Sequence, residues 1–545
     1  MTPDVVSAAE PLSPPRASED SRLAKSAGLT GGATLVSRVL GLVRDQVLAS
    51  LFGAGNEMDA FVVAFRIPNL VRDLFAEGAM SAAFVPTFTR QLTLGGKPDA
   101  WRLGNNVLNA LLVVTGIVVL IAGVAARPLV QSLAPHFGDV AGKIELTVRL
   151  TRVLVPFLTL VAIAAAAMGM LNSLHHYFLP ALSPAMFNIA TIVCAVVLVP
   201  LMPRIGEPRI MAIAIGALIG GVGQVALQWP SLRREGFRYA PVLDRRDPGL
   251  LQVLLLMGPG TIGLAATQVN LFVNTLLATS QGIGAVSWMT YAFRLMYLPI
   301  GLFGVSIGTA VLPAVSRHAA SHNTAGIRQT VSRGLGLMLM LNVPATVGLL
   351  VLATPIVQLL FEHGRFQPSD TIATASAVRF YSLGLVGYSA VRIASPTFYA
   401  IGRSRIPVMV SGAAIAINAV ASLLLVRWLG FSGLALGTSI AAVANAALLV
   451  WLLSGRLDGL ELPRLSLTFG KVALSTAAMA VAVLVVQAGM QRALPGSHLA
   501  SQVVRLVVSI SGGLVALAAA ATLLAIDEFD EVIETIGREL RKLRV

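Results

Sequence analysis

From about residue 26 to residue 525 the chain alternates long apolar runs with short polar breaks. Each run has the ~20 or more residues that a helix needs to cross a hydrocarbon core. The pattern predicts fourteen spans, near 26–51, 58–88, 104–126, 147–173, 179–200, 210–230, 249–279, 285–315, 333–354, 371–400, 406–427, 432–454, 467–489 and 502–525. The expected fold class is an all-α integral membrane protein. Residues 1–25, rich in Pro, Ser and acidic residues and without a cleavable signal pattern, read as a disordered tail. Residues 527–545 read as an amphipathic helix with acids first and bases last, as the helix dipole prefers. Its apolar face, Phe529, Val532, Ile533, Ile536, Leu540 and Leu543, is expected on the inner membrane surface.

The first two spans break the apolar rule. Between Ser37 and Phe88 they carry Arg38, Arg44, Asp45, Asp59, Arg66, Arg72, Asp73 and Glu77. Each such charge costs about 2.5–3.5 kcal/mol at the centre of a bilayer, so a chain keeps several only where they face water or one another. The spacing is helical: Arg38 and Asp45 lie seven apart, and Asp59, Arg66, Asp73 and Glu77 recur at seven, seven and four. Each helix therefore has one polar side. Span 8 adds Arg294, with few charges near it in sequence. The expected site is a cation-rich cavity inside the membrane. Arg38, Arg44, Arg72 and Arg294 would bind substrate there, and Asp59, Arg66, Asp73 and Glu77 would serve gating or charge pairing. Arginine's planar fork suits phosphate and carboxylate oxygens, so the expected ligand is anionic.

Composition narrows the class further. The chain is 56% hydrophobic and 12% charged, with a mean hydropathy of +0.79. A net charge of +14 would suit nucleic acid, but aromatic residues are few and the bases gather in short loops between apolar runs. That is the positive-inside pattern. The excess lies on the side of both termini, most densely at Arg233, Arg234, Arg238, Arg245 and Arg246, which places both ends in the cytoplasm. The lone Cys194 sits in an apolar run and can form no disulfide within the chain.

The chain also repeats itself. At an offset of 227 residues Pro86 matches Pro313, Arg90 matches Arg317, Pro180 matches Pro407 and His136 matches His363, while ARPLVQSL (126–133) aligns with ATPIVQLL (353–360). An offset of six spans keeps orientation, the parallel-repeat plan of several transporters. The expected domains are a tail (1–25), a first lobe of six spans (26–232), a basic linker (233–248), a second lobe of six spans (249–455), spans 13 and 14 (456–526) and the terminal helix (527–545). Enzyme signatures fail. Gly304-Val305-Ser306-Ile307-Gly308 matches a hydrolase elbow in letters but lies mid-span. Gly95-Gly96-Lys97 lacks the Ser or Thr of a phosphate loop, and His175-His176 lacks metal-pair spacing. No enzyme activity, cofactor or metal is expected.

Five stretches then suggest a family: SRVLGLVRD (37–45), FGAG (52–55), DAFVVAFRIPNLVRDLFAEGAMSAAFVP (59–86), SWMTYAFRLMYLPIG (287–301) and LFEHGRF (360–366). Together they resemble the MurJ (MviN) lipid II flippases, of the superfamily that also holds the MATE antiporters. The resemblance implies fourteen helices in two lobes, with helices 13 and 14 forming a lipid groove. It implies alternating access that carries lipid II, the undecaprenyl-pyrophosphate-linked peptidoglycan precursor, from the cytoplasmic to the periplasmic leaflet of the bacterial inner membrane. The family's cavity residues match Arg38, Arg44, Asp59, Arg72 and Arg294. Where members commonly carry acids beside the span-8 arginine, this chain has Phe293 and Tyr297. Where some carry an acid in span 7, it has Gln268, Asn270 and Asn274, so charge gives sodium coupling no support. Expected partners are lipid II, membrane lipids and cell-wall synthesis proteins, with the chain itself a monomer. The rivals are an exporter of another polyprenyl-linked glycan, a drug or cation antiporter, and a polytopic polymerase or glycosyltransferase.

Overall fold

The computed structural model describes residues 16–72, 80–496 and 498–542, and among these every regular element is helical. The first group of helices is α1 (Arg16–Phe52), α2 (Asn56–Arg72), α3 (Met80–Val124), α4 (Ala126–Leu133), α5 (Lys143–Leu154), α6 (Phe157–Ser173), α7 (Phe178–Leu198) and α8 (Met211–Arg234). The second is α9 (Pro248–Thr279), α10 (Ala285–Pro299), α11 (Val305–Ala320), α12 (Thr324–Phe361), α13 (Pro368–Ser382), α14 (Leu385–Ala400), α15 (Arg405–Leu429) and α16 (Phe431–Ser454). A hairpin of α17 (Leu462–Ala493) and α18 (Leu499–Leu523) comes next, then α19 (Asp527–Lys542).

Ten segments among the described residues are long and apolar enough to cross a membrane. Of the expected spans, 26–51, 58–88, 249–279 and 371–400 are not among the ten. The first carries the charges of α1, and 371–400 is split between α13 and α14 at Leu383 and Gly384. Several boundaries also move, for local reasons. The expected loop 89–103 is helical within α3, where the backbone turns at Gly96 (φ 72°, ψ −170°). Span 4 divides into α5 and α6 at Pro156, which has no N–H to give the ladder. Span 8 divides at Pro299, after which Ile300–Gly304 winds as a single π-helical turn before α11. Helix α1 begins at Arg16, inside the expected tail, where Ala, Glu, Arg, Leu and Lys favour a helix.

The largest apolar core is shared between the first and second groups. It joins Leu48 and Phe52 of α1 and Phe61 of α2 to Tyr291 and Met296 of α10, Phe361 of α12 and Val378 of α13. A separate core packs the α17–α18 hairpin on α12 through Met340, Leu352, Val472, Met479, Val483 and Leu517. Gly304 and Gly308, the two glycines of the hydrolase-like pentapeptide, let α11 approach α14. A Cβ on Gly304 would meet Ser389 Oγ at 2.8 Å, and one on Gly308 would meet the Arg392 carbonyl at 2.7 Å. The pentapeptide is a packing surface on helix, with no strand-to-helix elbow.

Two expected peripheral segments prove to be fastened. The basic linker is extended, and α3 supplies partners for its backbone. Asn105 Nδ2 donates to the Arg238 carbonyl (3.0 Å) and its Oδ1 accepts from Ala240 N (2.9 Å). Asn106 Oδ1 accepts from Asp244 N (2.6 Å), and Asn109 Nδ2 donates to the carbonyls of Ala240 and Val242, each at 2.8 Å. Near the start of the linker, Glu235 receives His176 Nε2 at 2.8 Å and Lys97 Nζ at 2.9 Å. These hydrogen bonds, the one from His176 foremost, hold its carboxyl below the usual range. The start of α19 is tucked into the protein rather than laid on a membrane surface. Glu528 is buried and accepts from Thr468 Oγ1, Ile526 is buried beside α12 and α17, and Arg333 pairs with Glu531 at 2.9 Å.

Candidate functional site: a charged junction between the two helix groups

Arg44 and Asp45, adjacent on α1, are both buried. The Arg44 guanidinium donates to Asp45 Oδ1 from Nη2 (2.8 Å) and Nε (3.1 Å), and from Nη1 to Asn188 Oδ1 on α7 (3.0 Å). It also lies over the Phe187 ring, 5.1 Å from the centroid. Asn188 is held in turn by its own donation to the Ser37 carbonyl (3.0 Å). Asp45 has a second oxygen to offer, and Arg294 Nη1 of α10 takes it at 2.9 Å. One carboxylate thus bridges an arginine of the first group to an arginine of the second. Sequence order had left Arg294 without a counter-charge; the fold supplies one from 249 residues upstream.

Arg294 sits deep in the protein, yet 47% of its side chain is open. Around it the α10 face presents the exposed rings of Phe293 and Tyr297, stacked at 6.0 Å, and the opposing α1 face presents exposed Val39 and Val43. Arg38, also exposed, rests its guanidinium on Gly301; a Cβ there would meet Arg38 Cζ at 3.1 Å and overlap Nη1. Among the described residues Arg38 makes no ion pair. Arg44 and Arg72 are near enough for their charges to oppose that of Arg294. Among the described residues the junction thus gathers Arg38, Arg44 and Arg294 around one bridging aspartate, beside the exposed rings of Phe293 and Tyr297. An anion with several oxygens could take the donors that Asp45 now occupies.

Asp59 does something else. It is fully buried at the far end of α2 and pairs with Lys143 of α5 at 2.9 Å, both side chains nearly without exposure. Of the expected gating or charge-pairing roles, the pairing is made here with a lysine. The carboxylate also crosses to the second group, where it caps α10. Oδ2 accepts from Gly284 N (2.8 Å), and Oδ1 accepts from Ser287 N (3.1 Å) and Ser287 Oγ (2.7 Å). A carboxylate on the first N–H groups of a helix is favourable for both. Nearby, Arg365 N donates to the Ser50 carbonyl (2.8 Å), and Arg365 lies 3.6 Å from Glu57. The contact is close enough to need glycine three times. Gly53, Gly284 and Gly364 all have positive φ, and a Cβ on any of them would lie within 2.6 Å of a carbonyl oxygen of the other group. This end of the bundle is sealed.

Of the remaining expected site residues, Arg66 and Arg72 are half-buried on α2, outside the Asp45 bridge. Asp73 and Glu77 lie outside the described residues. Asn270 and Asn274 do meet other side chains. Asn418 Nδ2 donates to Asn274 Oδ1 (2.9 Å) and to Asn270 Oδ1, and Asn274 Nδ2 donates to Thr438 Oγ1 (3.2 Å). Among the described residues no cluster of three His, Cys, Asp or Glu side chains stands ready for a metal. Residues that sequence reasoning passed over are Lys143, Gly284 and Ser287. Lys143 carried a signal: it is a base on the side of the chain where bases are scarce.

Residues 48–504 match the family described as "Lipid II flippase MurJ". A probable lipid II flippase MurJ of Vibrio cholerae is 36% identical over 436 residues, covering 78% of this chain and 82% of that protein. The lipid II flippase MurJ of Burkholderia cenocepacia is 34% identical over 77% of this chain and 81% of its own length. The chain belongs to the MurJ family. Among solved structures, a MurJ in an inward closed conformation superposes with a TM-score of 0.75 at 24% identity, over 91% of this chain and 99% of that one. An inward-facing MATE transporter superposes at 0.66 and 16% identity, over 80% of this chain. The fold is thus that of MurJ and, more distantly, of MATE transporters. Membership of a flippase family removes the polymerase and glycosyltransferase readings.

Proposed function

We propose that this chain is a lipid II flippase of the bacterial cytoplasmic membrane, acting by alternating access. The observation that carries the reading is the Asp45 bridge between Arg44 and Arg294, with Arg38 and Arg72 nearby. A pyrophosphate offers more oxygens and more charge than one carboxylate, so it competes with Asp45 for the same donors. Loss of the Asp45–Arg294 contact would loosen one tie between the two helix groups as substrate enters. Arg38, without an ion-pair partner among the described residues, is the natural first contact.

The orientation rests on the distribution of bases, with both termini cytoplasmic and fourteen spans in two six-helix lobes plus the α17–α18 groove. The Asp59 seal then lies at the periplasmic end, and Arg66, Asp73 and Glu77 serve charge pairing along span 2. The glycan and peptide head group would occupy the open space beside Phe293 and Tyr297, while the polyprenyl tail stays in lipid. Moving negative charge outward is favoured by an inside-negative potential, by about 2.3 kcal/mol per charge per 100 mV. No nucleotide is required.

The drug-antiporter reading shares the fold, but cation export calls for a carboxylate-rich pocket, and here arginines outnumber the bridging acid. The test is binding of lipid II to purified protein, monitored by native mass spectrometry, with Arg44→Ala, Arg294→Ala and Asp45→Asn. The arginine variants should lose bound lipid II, while Asp45→Asn, which frees donors, should retain it. Equal retention by all three would reject the site.

A further inference from the structure

A second polar cluster lies away from this junction, where the α17–α18 hairpin meets α12. Gln487 and Gln491 stand one turn apart on α17, and Gln502, Arg505 and Ser509 recur along one face of α18. Gln358 of α12 completes the ring, with Leu352, Pro355 and Leu506 as an apolar floor. On a hairpin otherwise sheathed in exposed Val and Leu, such as Leu484, Val485 and Val507, five polar side chains gathered on an inner face against Gln358 need a reason. At a rise of about 1.5 Å per residue, Gln487 and Arg505 sit roughly 9 Å inside the helix ends, where hydrocarbon gives way to head groups.

The donors there are not used up. Arg505 spends Nε on the Ser501 carbonyl (3.3 Å) and Nη2 on the Gly496 carbonyl (3.0 Å), anchoring the hairpin turn. Its Nη1 has no partner among the described residues, and no carboxylate there pairs with it. Ser509 is 1% exposed and its Oγ has no hydrogen-bond partner among the described residues, though it lines the cavity. Glu362, the carboxylate that Gln358 reaches, is engaged by Gln358 Nε2 (3.2 Å) and Thr371 Oγ1 (2.5 Å). A cation without a counter-ion, carboxamides and an unpartnered hydroxyl at head-group depth make a site for an anionic head group.

We infer that this cavity binds the phosphate of a lipid in the leaflet at the sealed end, the periplasmic leaflet in the orientation proposed above. The apolar floor directs the chains of that lipid along α12 and α18. The site is separate from the arginine junction, so it stands even if the junction binds another substrate.

The test is native mass spectrometry of the delipidated full-length protein titrated with phosphatidylglycerol, with dioleoylglycerol and inorganic phosphate as comparisons. Wild type should retain one phosphatidylglycerol at collision energies that strip the rest, and should not retain dioleoylglycerol. Arg505→Gln should weaken that copy roughly tenfold, the size expected when a charged hydrogen-bonding partner is removed. Because Arg505 also anchors the turn, Ser509→Leu provides a second variant that fills the cavity and leaves the turn intact; it should lose the same copy. Retention by Ser509→Leu, or equal retention of dioleoylglycerol, would overturn the inference. Displacement by inorganic phosphate at concentrations near those of the lipid would identify the free anion as ligand and overturn the lipid assignment.

Discussion

The Asp59 seal makes two separable predictions. Replacing Asp59 by Ala leaves Lys143 as a buried ammonium without a counter-charge, a change that costs about 3–5 kcal/mol in folding stability. It also removes three hydrogen bonds, from Gly284 N, Ser287 N and Ser287 Oγ, that exist only while the two helix groups are in contact. Bonds to a charged acceptor contribute about 1.5–3 kcal/mol each, and not additively, so roughly 3 kcal/mol is a fair total for the cross-group tie. At 1.4 kcal/mol per factor of ten, the sealed arrangement should lose about a hundredfold of its advantage. The double variant Asp59→Leu with Lys143→Met removes the orphaned charge and separates the effects. It should recover most of the folding stability and still be unsealed. Spin labels at His136→Cys and Ile283→Cys in a Cys194→Ser background would report the distance across the seal by pulsed electron resonance. Both residues are exposed at that end. Wild type should give one short distance, and both variants a substantial longer population. Identical distributions in all three would refute the assignment of Asp59 as a seal.

Four other outcomes are expected. Gly301→Leu places a side chain where the Arg38 guanidinium now rests, so transport should fall at least tenfold in a vesicle flipping assay while expression stays normal. Arg294→Lys keeps the charge but gives up the planar fork and should lose most transport, whereas a point-charge role would spare it. Asn106→Ala removes both partners of the Asp244 backbone and should lower thermal stability by about 1–3 kcal/mol, with protease nicking appearing in residues 236–247. Glu235 has a depressed folded-state carboxyl, so its contribution is fully present above the unfolded value near pH 4.3 and fades as pH falls through the lower folded value. The melting temperatures of wild type and Glu235→Gln should therefore converge as pH falls below the unfolded value and through the lower folded one.

The all-helical class, the apolar runs and the charged stripe on α1 were legible because hydrophobic periodicity and the expense of buried charge act locally, whereas the splits at Pro156, Pro299 and Leu383–Gly384 were not. Arg38, Arg44 and Arg294 could be picked out as cavity candidates for that reason. Their pairing was not legible: Asp45 neutralises a residue 249 positions away, and nothing in local spacing specifies that contact. The same holds for Asp59, whose partners come from α5 and from the first turn of α10. The linker's basic, irregular composition carries no sign of the row of asparagines on α3 that fastens it. The amphipathic pattern that led α19 to be expected on a membrane surface cannot distinguish lipid from the apolar surface of α12 and α17 on which its start packs.

The most direct measurement is depletion of this protein in its host, with lipid II labelled from the periplasmic side. The account predicts loss of accessible lipid II while the precursor accumulates on the cytoplasmic side, and rescue by wild type but not by Arg294→Ala. Undiminished accessibility after depletion would contradict it.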